Sequence, residues 1–219
     1  MCAKQNSGAK NRGNGLFMVA IPATSKMYVL DGRQPKQYRQ NSNYEYAYEG
    51  YHWLNIPARV MLSNRGAVFF GTMNGRLCRF NDDLPGTTKY NDDGQPIAAS
   101  WATPADHDGY AGHYKSMQKR GGVVVIKPFT RSSVQVAIRT ESDREDVVLS
   151  LMDADIFTWK LIDFARFTFF SDASPKIVPF NQKVKKYITL QLIFSNDALN
   201  EGFGVYRVEK TYVINGYVK

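Results

Sequence analysis

The chain has 219 residues and a formal net charge of +8, and it is 43% hydrophobic and 22% charged. This balance is typical of a soluble globular protein with one large or two small domains. No apolar run is long enough to span a bilayer, and the polar residues 1–15 lack the apolar stretch of a signal peptide. We therefore expect a chain made in the cytoplasm, with no membrane partner.

The excess positive charge lies in the first third of the sequence. Residues 1–80 contain 11 Lys and Arg against 3 Asp and Glu, whereas residues 81–219 contain 17 of each. Such asymmetry indicates a polyanion on one side of the protein, although a solvated basic surface or ion pairs with a neighbouring subunit explain the same residues. The candidate nucleic-acid contacts, which would bind phosphates without reading bases, are Lys10, Arg12, Arg33, Lys36, Arg39 and Arg65.

Residues 1–15 are predicted to form a disordered basic tail, and residues 16–80 form a unit of short strands. An apolar run ends at Phe70, and Gly71-Thr72 leads to Asn74-Gly75, a pair that tolerates the positive φ of a tight hairpin turn. The shape F-x-G-x-x-x-G-x-L-x-x-F is typical of one blade of a β-propeller. The predicted strands are residues 16–21, 26–30, 44–51, 58–62 and 67–70, followed by the strand after Asn74-Gly75.

Residues 81–95 are predicted to be a linker, and residues 96–219 a β-sandwich of immunoglobulin-like size. Alternation of apolar and polar residues in 134–139 and 187–194 is typical of strands with one face on a core. The predicted strands are 97–103, 122–129, 133–140, 147–152, 164–170, 185–194 and 204–214. The insert 155–170 repeats an Asp-then-aromatic pattern, and we expect it to cap the sandwich with aromatic side chains. All-β is thus the predicted fold class: a partial propeller followed by a sandwich.

No pattern of catalytic residues emerges from the sequence. The run Asn-Asp-Asp-Gly at 91–94 lacks the ligand spacing of a calcium loop and favours an Asx turn that opens a hairpin. His107 and His113, with Asp106 and Asp108, lie in a Gly-containing segment that favours a solvated loop over a metal site. We predict no enzyme activity, no metal, no cofactor and no small-molecule substrate.

The two cysteines, Cys2 and Cys78, are far apart in sequence, and a free, partly buried Cys78 is expected. The three tryptophans, Trp53, Trp101 and Trp159, are expected to pack in cores, as large aromatic side chains usually do.

Several sequence segments of the chain resemble those of one protein family. They are the blade phrase at 69–80, Tyr-Asn-Asp-Asp-Gly-Gln-Pro-Ile at 90–97, Trp-Ala-Thr-Pro at 101–104, a strand entry at Lys115-Ser116, Asn-Asp-Ala-Leu-Asn-Glu-Gly-Phe-Gly at 196–204 and the ending Asn-Gly-Tyr-Val-Lys. Together they resemble the C-terminal region of the tail nozzle and packaged-DNA stabilisation proteins of short-tailed bacteriophages. In that family a β-propeller precedes a β-sandwich.

The resemblance implies a structural virion protein, made in the host cytoplasm and incorporated into the tail. It would form a homo-oligomeric ring, expected to be a hexamer, that lines or seals the DNA channel and contacts other tail proteins and non-specific double-stranded DNA. The chain has room for only one or two blades, so the propeller would be completed by another polypeptide, or the chain is a shortened relative. The alternative is a sandwich that binds host-surface glycans by stacking on exposed Trp; a metal-dependent hydrolase at His107 and His113 is the third hypothesis.

Overall fold

The computed structural model describes residues 2–5, 16–31, 49–64, 67–80, 87–142, 147–153, 155–159, 162, 164–180 and 183–218. Strands hold 56% of the described residues, and the helical part consists of short 3-10 turns at Pro22–Thr24, Thr88–Tyr90 and Phe164–Arg166. The all-β prediction is therefore confirmed. Among these residues no helix has the length and apolarity needed to cross a membrane.

The chain divides into two compact units, Met1–Asp82 and Asp83–Lys219. In the first unit, β1 to β4 form one antiparallel sheet in chain order and β5 to β7 form another. The described strands are β1 (Cys2–Gln5), β2 (Leu16–Ile21), β3 (Lys26–Asp31), β4 (Glu49–Trp53), β5 (Ala58–Asn64), β6 (Ala67–Thr72) and β7 (Leu77–Arg79). Strand β1 lies within the segment predicted to be disordered, and it pairs with β2.

The hairpins of the first unit follow from its turn residues. Gly75 adopts φ = +77°, which is the backbone conformation that Asn-Gly was predicted to supply between β6 and β7. The small core of this unit is built from alternate residues of the strands, with Met27 and Ala58 fully buried. Cys78 is a free, half-buried thiol beside this core, as predicted.

In the second unit, twelve described strands form three small sheets and a two-stranded hairpin. They are β8 (Asn91–Asp92), β9 (Gln95–Pro96), β10 (Ala99–Ala102), β11 (His113–Met117), β12 (Gly122–Ile126), β13 (Ser133–Thr140), β14 (Val147–Asp153), β15 (Lys176–Pro179), β16 (Val184–Tyr187), β17 (Leu190–Asn196), β18 (Val205–Lys210) and β19 (Val213–Tyr217). The sheet orders are β10-β17-β13-β14, β16-β11-β19 and β15-β12-β18. All three sheets contribute to one apolar core, in which Phe180, Tyr187 and Phe194 are fully buried.

The predicted Asx turn at 91–94 is confirmed. The Asn91 side-chain oxygen accepts a hydrogen bond from the Gly94 N–H at 3.0 Å, and β8 and β9 pair as a hairpin around it. Asp93 and Gly94 both have positive φ, as a two-residue turn of this kind requires. The predicted linker therefore contains a short hairpin.

Three predicted strands of the second unit have a different form in the structure. Residues 204–214 belong to two strands, β18 and β19, separated by Thr211 and Tyr212. Residues 164–170 begin as a 3-10 turn, in which Phe164 and Phe167, three residues apart, stack at a ring separation of 6.2 Å. Residues 185–194 are two strands separated by Ile188 and Thr189. Both of these residues donate backbone N–H groups to the Glu141 carboxylate at 2.9 Å, which holds the chain in a turn.

Candidate functional site

The first sheet carries apolar side chains on both of its faces. Met18, Ala20, Met27 and Val29 point inward and are buried. Because side chains alternate along a strand, their neighbours point outward. These neighbours are Val19, Ile21, Tyr28 and Leu30, which we call the outer face of the first sheet; they are between 36% and 44% exposed.

The register of the strands makes this outer face continuous. Val19 lies opposite Tyr28 across β2 and β3, and Tyr28 lies opposite His52 across β3 and β4. The Tyr28 and His52 rings stack on each other at 4.8 Å, with only 10° between their planes. Leu30 lies opposite Gly50, which has no side chain to cover it. The arrangement is an exposed apolar patch of the kind that marks an interaction site.

A second exposed apolar surface lies at residues 157–170, which we call the aromatic segment. Trp159, Phe164 and Phe169 are 81–89% exposed, so the prediction that this insert plugs the sandwich was wrong. Its rings contact one another instead of the core: Phe157 lies 5.0 Å from Trp159, and Phe167 lies 4.7 Å from Phe169.

The three tryptophans differ in their surroundings. Trp53 packs on the core of the first unit at 5.4 Å from Phe80, as predicted. Trp101 is 48% exposed but stacks on the buried Phe194 ring at 5.6 Å. For Trp159 the predicted core packing was wrong, because it lies on the surface among other exposed rings.

The two histidines of the 106–113 segment are held by separate contacts. His107 Nδ1 accepts a hydrogen bond from the Gly109 N–H at 3.1 Å, and the His113 ring packs against Tyr217 at 4.3 Å. Within the described part of the chain, no group of three or more His, Cys, Asp and Glu side chains is arranged to hold a metal ion.

The same segment is fastened by a buried lysine. Lys115 on β11 is fully buried, and its ammonium donates hydrogen bonds to the His107 carbonyl at 2.6 Å and the Tyr110 carbonyl at 3.1 Å. Beside it, Lys210 forms an ion pair with Asp108 at 2.7 Å. Hydrogen bonds to charged groups are stronger than neutral ones, so these cations fix the loop on the sheet.

Burial and charge shift the acidity of the groups around this loop. Burial in the core raises the pKa of Tyr187, and the Asp108 carboxylate and Tyr212 raise it further. Burial also raises the pKa of Tyr212, with added effects of Asp108, Tyr110 and Asp106. The Asp108 backbone N–H lowers the pKa of Asp106, and Lys210 lowers it further.

All six predicted nucleic-acid contacts, Lys10, Arg12, Arg33, Lys36, Arg39 and Arg65, lie outside the described residues. Sequence reasoning missed three exposed lysines of the second unit, Lys183, Lys185 and Lys186, which line one open cleft. The signal was the short run Lys-Val-Lys-Lys, which the equal totals of acidic and basic residues in 81–219 concealed.

Comparison with protein-family models, with curated proteins and with solved structures found no match to this chain. The surfaces above are therefore interpreted from their own geometry.

Proposed function

We propose that this chain is a non-enzymatic structural protein that assembles with further copies of itself, and that it serves in the virion as a bacteriophage tail component of the nozzle type. In this proposal the sheets of the first unit are propeller-like blades and the three sheets of the second unit form the sandwich. The assembled ring would line or seal the DNA channel. Other tail proteins and double-stranded DNA would be its further partners.

The outer face of the first sheet carries the proposal. A four-stranded antiparallel sheet in chain order is the topology of one propeller blade, and a blade packs both of its faces against neighbouring blades. Here one face covers a core and the other leaves Val19, Ile21, Tyr28 and Leu30 exposed. A second copy that covers this face supplies the missing neighbour.

Charge and the resemblance to nozzle proteins add independent support. The net charge of +8 lies entirely in residues 1–80, which suits a ring that surrounds DNA. Non-specific electrostatic contact needs no base recognition, so a DNA channel requires only a basic lining.

Electron microscopy of the purified full-length chain, together with light scattering, tests the proposal. We expect closed rings of constant subunit number. Replacing Val19, Tyr28 and Leu30 by Thr removes apolar area worth on the order of 2 kcal/mol per interface, so association should weaken about 30-fold. The matched control replaces three exposed apolar residues of the second unit, Ile177, Tyr206 and Val213, by Thr and should leave the rings intact. A chain that stays monomeric at every concentration contradicts the proposal.

The exposed aromatic segment favours a second candidate function, the binding of a host-surface glycan by the second unit. Trp159 is 81% exposed and lies beside Phe157, and an uncovered indole face is a common platform for a sugar ring. Binding of the chain to cell-wall polysaccharide that is lost in Trp159→Ala, and kept in Trp101→Ala, would establish this alternative. Unchanged binding in Trp159→Ala, or none in the parent chain, would exclude it.

A further inference from the structure

One open cleft of about 400 Å³ lies on the sheet β16-β11-β19 of the second unit. It is lined by cations, amides and hydroxyls: Tyr114, Ser116, Gln118, Lys183, Lys185, Lys186, Asn215, Gly216 and Tyr217. No carboxylate among the described residues lines it. Its volume is within the range of ligand-binding clefts.

Two β-bulges shape the cleft. On one side of β11, Lys185 and Lys186 lie together opposite Ser116, because the register shifts between Lys115 and Met117. On the other side, a second register shift places Asn215 and Gly216 opposite Tyr114. Bulges bend a strand and re-aim its side chains, and they are common beside functional sites.

Backbone strain at the first bulge is a separate indication that the cleft is a functional site. Lys186 has φ = +52°, in the left-handed region that non-glycine residues seldom adopt. Its N–H reaches the Ser116 hydroxyl oxygen at 3.4 Å. The surrounding sheet therefore holds Lys186 in a conformation that costs free energy, as is frequent where a side chain serves a ligand.

Hydrogen bonding leaves the cleft rich in donors. The Ser116 oxygen accepts from the Lys186 N–H and from Asn215 Nδ2 at 2.7 Å. With both acceptor positions of this oxygen used, the Ser116 hydroxyl proton remains to be donated. Three ammonium groups and this hydroxyl therefore present donors and positive charge, which is the chemistry that binds phosphate.

The cleft also has an aromatic side chain next to the cations. Tyr114 lines it and lies on the same face of β11 as Ser116, because side chains two residues apart on a strand share a face. The Tyr217 ring packs on His113 at 4.3 Å, on the opposite face of this strand. Aromatic rings beside a positively charged groove are typical of proteins that bind single nucleic-acid strands, because unpaired bases stack on the rings while the cations follow the backbone.

We propose that this cleft binds the phosphodiester backbone of a single nucleic-acid strand through Lys183, Lys185, Lys186 and Ser116, with a base stacked on Tyr114. The proposed site uses none of the basic residues of 1–80 and none of the outer-face residues of the first sheet. It stands whether or not the chain forms a tail ring.

Fluorescence anisotropy of the full-length chain with a labelled 20-nucleotide single strand tests the proposal. In a triple variant, Lys183→Ser, Lys185→Ser and Lys186→Asn, we expect affinity at least about tenfold lower. The slope of log K against log salt concentration should become shallower by about 2, as the loss of three phosphate contacts requires. Asn is chosen at 186 because it tolerates positive φ. Tyr114→Ser should weaken binding with the salt dependence unchanged, since stacking releases no counterions.

The matched control replaces three exposed cations outside the cleft, Lys89, Lys127 and Arg207, by Ser and should bind as the parent chain does. A second control replaces the six predicted contacts of residues 1–80 by Ser and should keep the binding that the cleft triple loses. In the background that lacks the six predicted contacts of residues 1–80, parent-like affinity in the cleft triple overturns the inference, and so does duplex binding as tight as single-strand binding. Assembly is measured in the same samples, so that failure of this inference and failure of the ring proposal are told apart.

Discussion

The two units of this protein bury their side chains in different ways. The second unit encloses whole aromatic rings and even a lysine: Phe180, Tyr187, Phe194 and Lys115 have essentially no exposed surface. The first unit has a smaller core, and its first sheet leaves apolar residues on the outer face. Burial of apolar surface stabilises a fold only when that surface leaves water, so the outer face of the first sheet contributes little to the first unit, as the exposed aromatic segment contributes little to the second.

This difference predicts different roles for the buried residues of the second unit and the outer-face residues of the first. In the second unit, the expected role of a buried group is to hold the unit itself together. In the first unit, the outer face is expected to act between copies. Two kinds of variant therefore test the comparison. One kind destabilises the second unit, and the other changes the association of the first unit while leaving it folded.

The largest expected effect on stability is that of Lys115→Met. This change removes the donor of two hydrogen bonds and leaves the His107 and Tyr110 carbonyls without it, which should lower the free energy of unfolding by about 3 kcal/mol. Urea unfolding followed by tryptophan fluorescence checks it. In a Trp53→Phe background, the signal of Trp101 and Trp159 reports the unfolding of the second unit. A Trp101→Phe, Trp159→Phe background reports the first unit through Trp53, which should not change.

Lys185→Met is the matched control for that experiment. Lys185 is exposed on the adjacent strand, so its replacement should alter the unfolding free energy by less than about 0.5 kcal/mol. Equal effects of the two variants would show that Lys115 does not hold the loop as the structure indicates.

Glycine-to-alanine changes give the next largest contrast between the units. At Gly122 an added methyl group would lie 2.0 Å from the fully buried Phe180 ring, so Gly122→Ala should cost about 2 kcal/mol. At Gly71 of the first unit nothing lies within 4 Å of that position, and Gly71→Ala should be neutral or slightly stabilising. The same urea titrations measure both, and a costly Gly71→Ala would contradict the open packing of the first unit.

The smallest expected effect is that of Tyr187→Phe. The Tyr187 hydroxyl is buried with no hydrogen-bond partner among the described groups, so its removal at neutral pH should change stability by less than about 1 kcal/mol. Because the folded state raises the pKa of Tyr187 above its ordinary value of 10, the unfolded chain ionises first as the pH rises. The stability that the neutral phenol contributes is complete below pH 10 and is lost progressively above it. Tyr187→Phe should weaken this alkaline decline, and an unchanged decline would contradict it.

Local patterns predicted a large part of the fold. The apolar run at 16–21, which Pro22 ends, and the run at 26–30, which leads to Asp-Gly, located β2 and β3. Asn-Gly and Asn-Asp-Asp-Gly located two hairpin turns. These features depend on neighbouring residues alone, so they can be predicted from the local sequence.

Long-range partners explain the features that the sequence did not predict. The turn at Ile188 and Thr189 depends on Glu141, 47 residues earlier, and no local pattern shows that contact. Lys115 was read only as part of a strand entry, although it shares a face with the buried Met117 and its charge is met by two carbonyls of a loop. The lysine cleft was concealed because a charge count over 139 residues averages out a local cluster.

Hydroxyl-radical footprinting of the full-length chain tests the central claim, that another copy covers the outer face of the first sheet. Oxidation of Tyr28 is compared between concentrated and highly diluted protein, with the exposed Tyr206 of the second unit as internal reference. The account predicts that Tyr28 is protected several-fold in the concentrated sample while Tyr206 is oxidised equally in both. Equal oxidation of Tyr28 at both concentrations would contradict it.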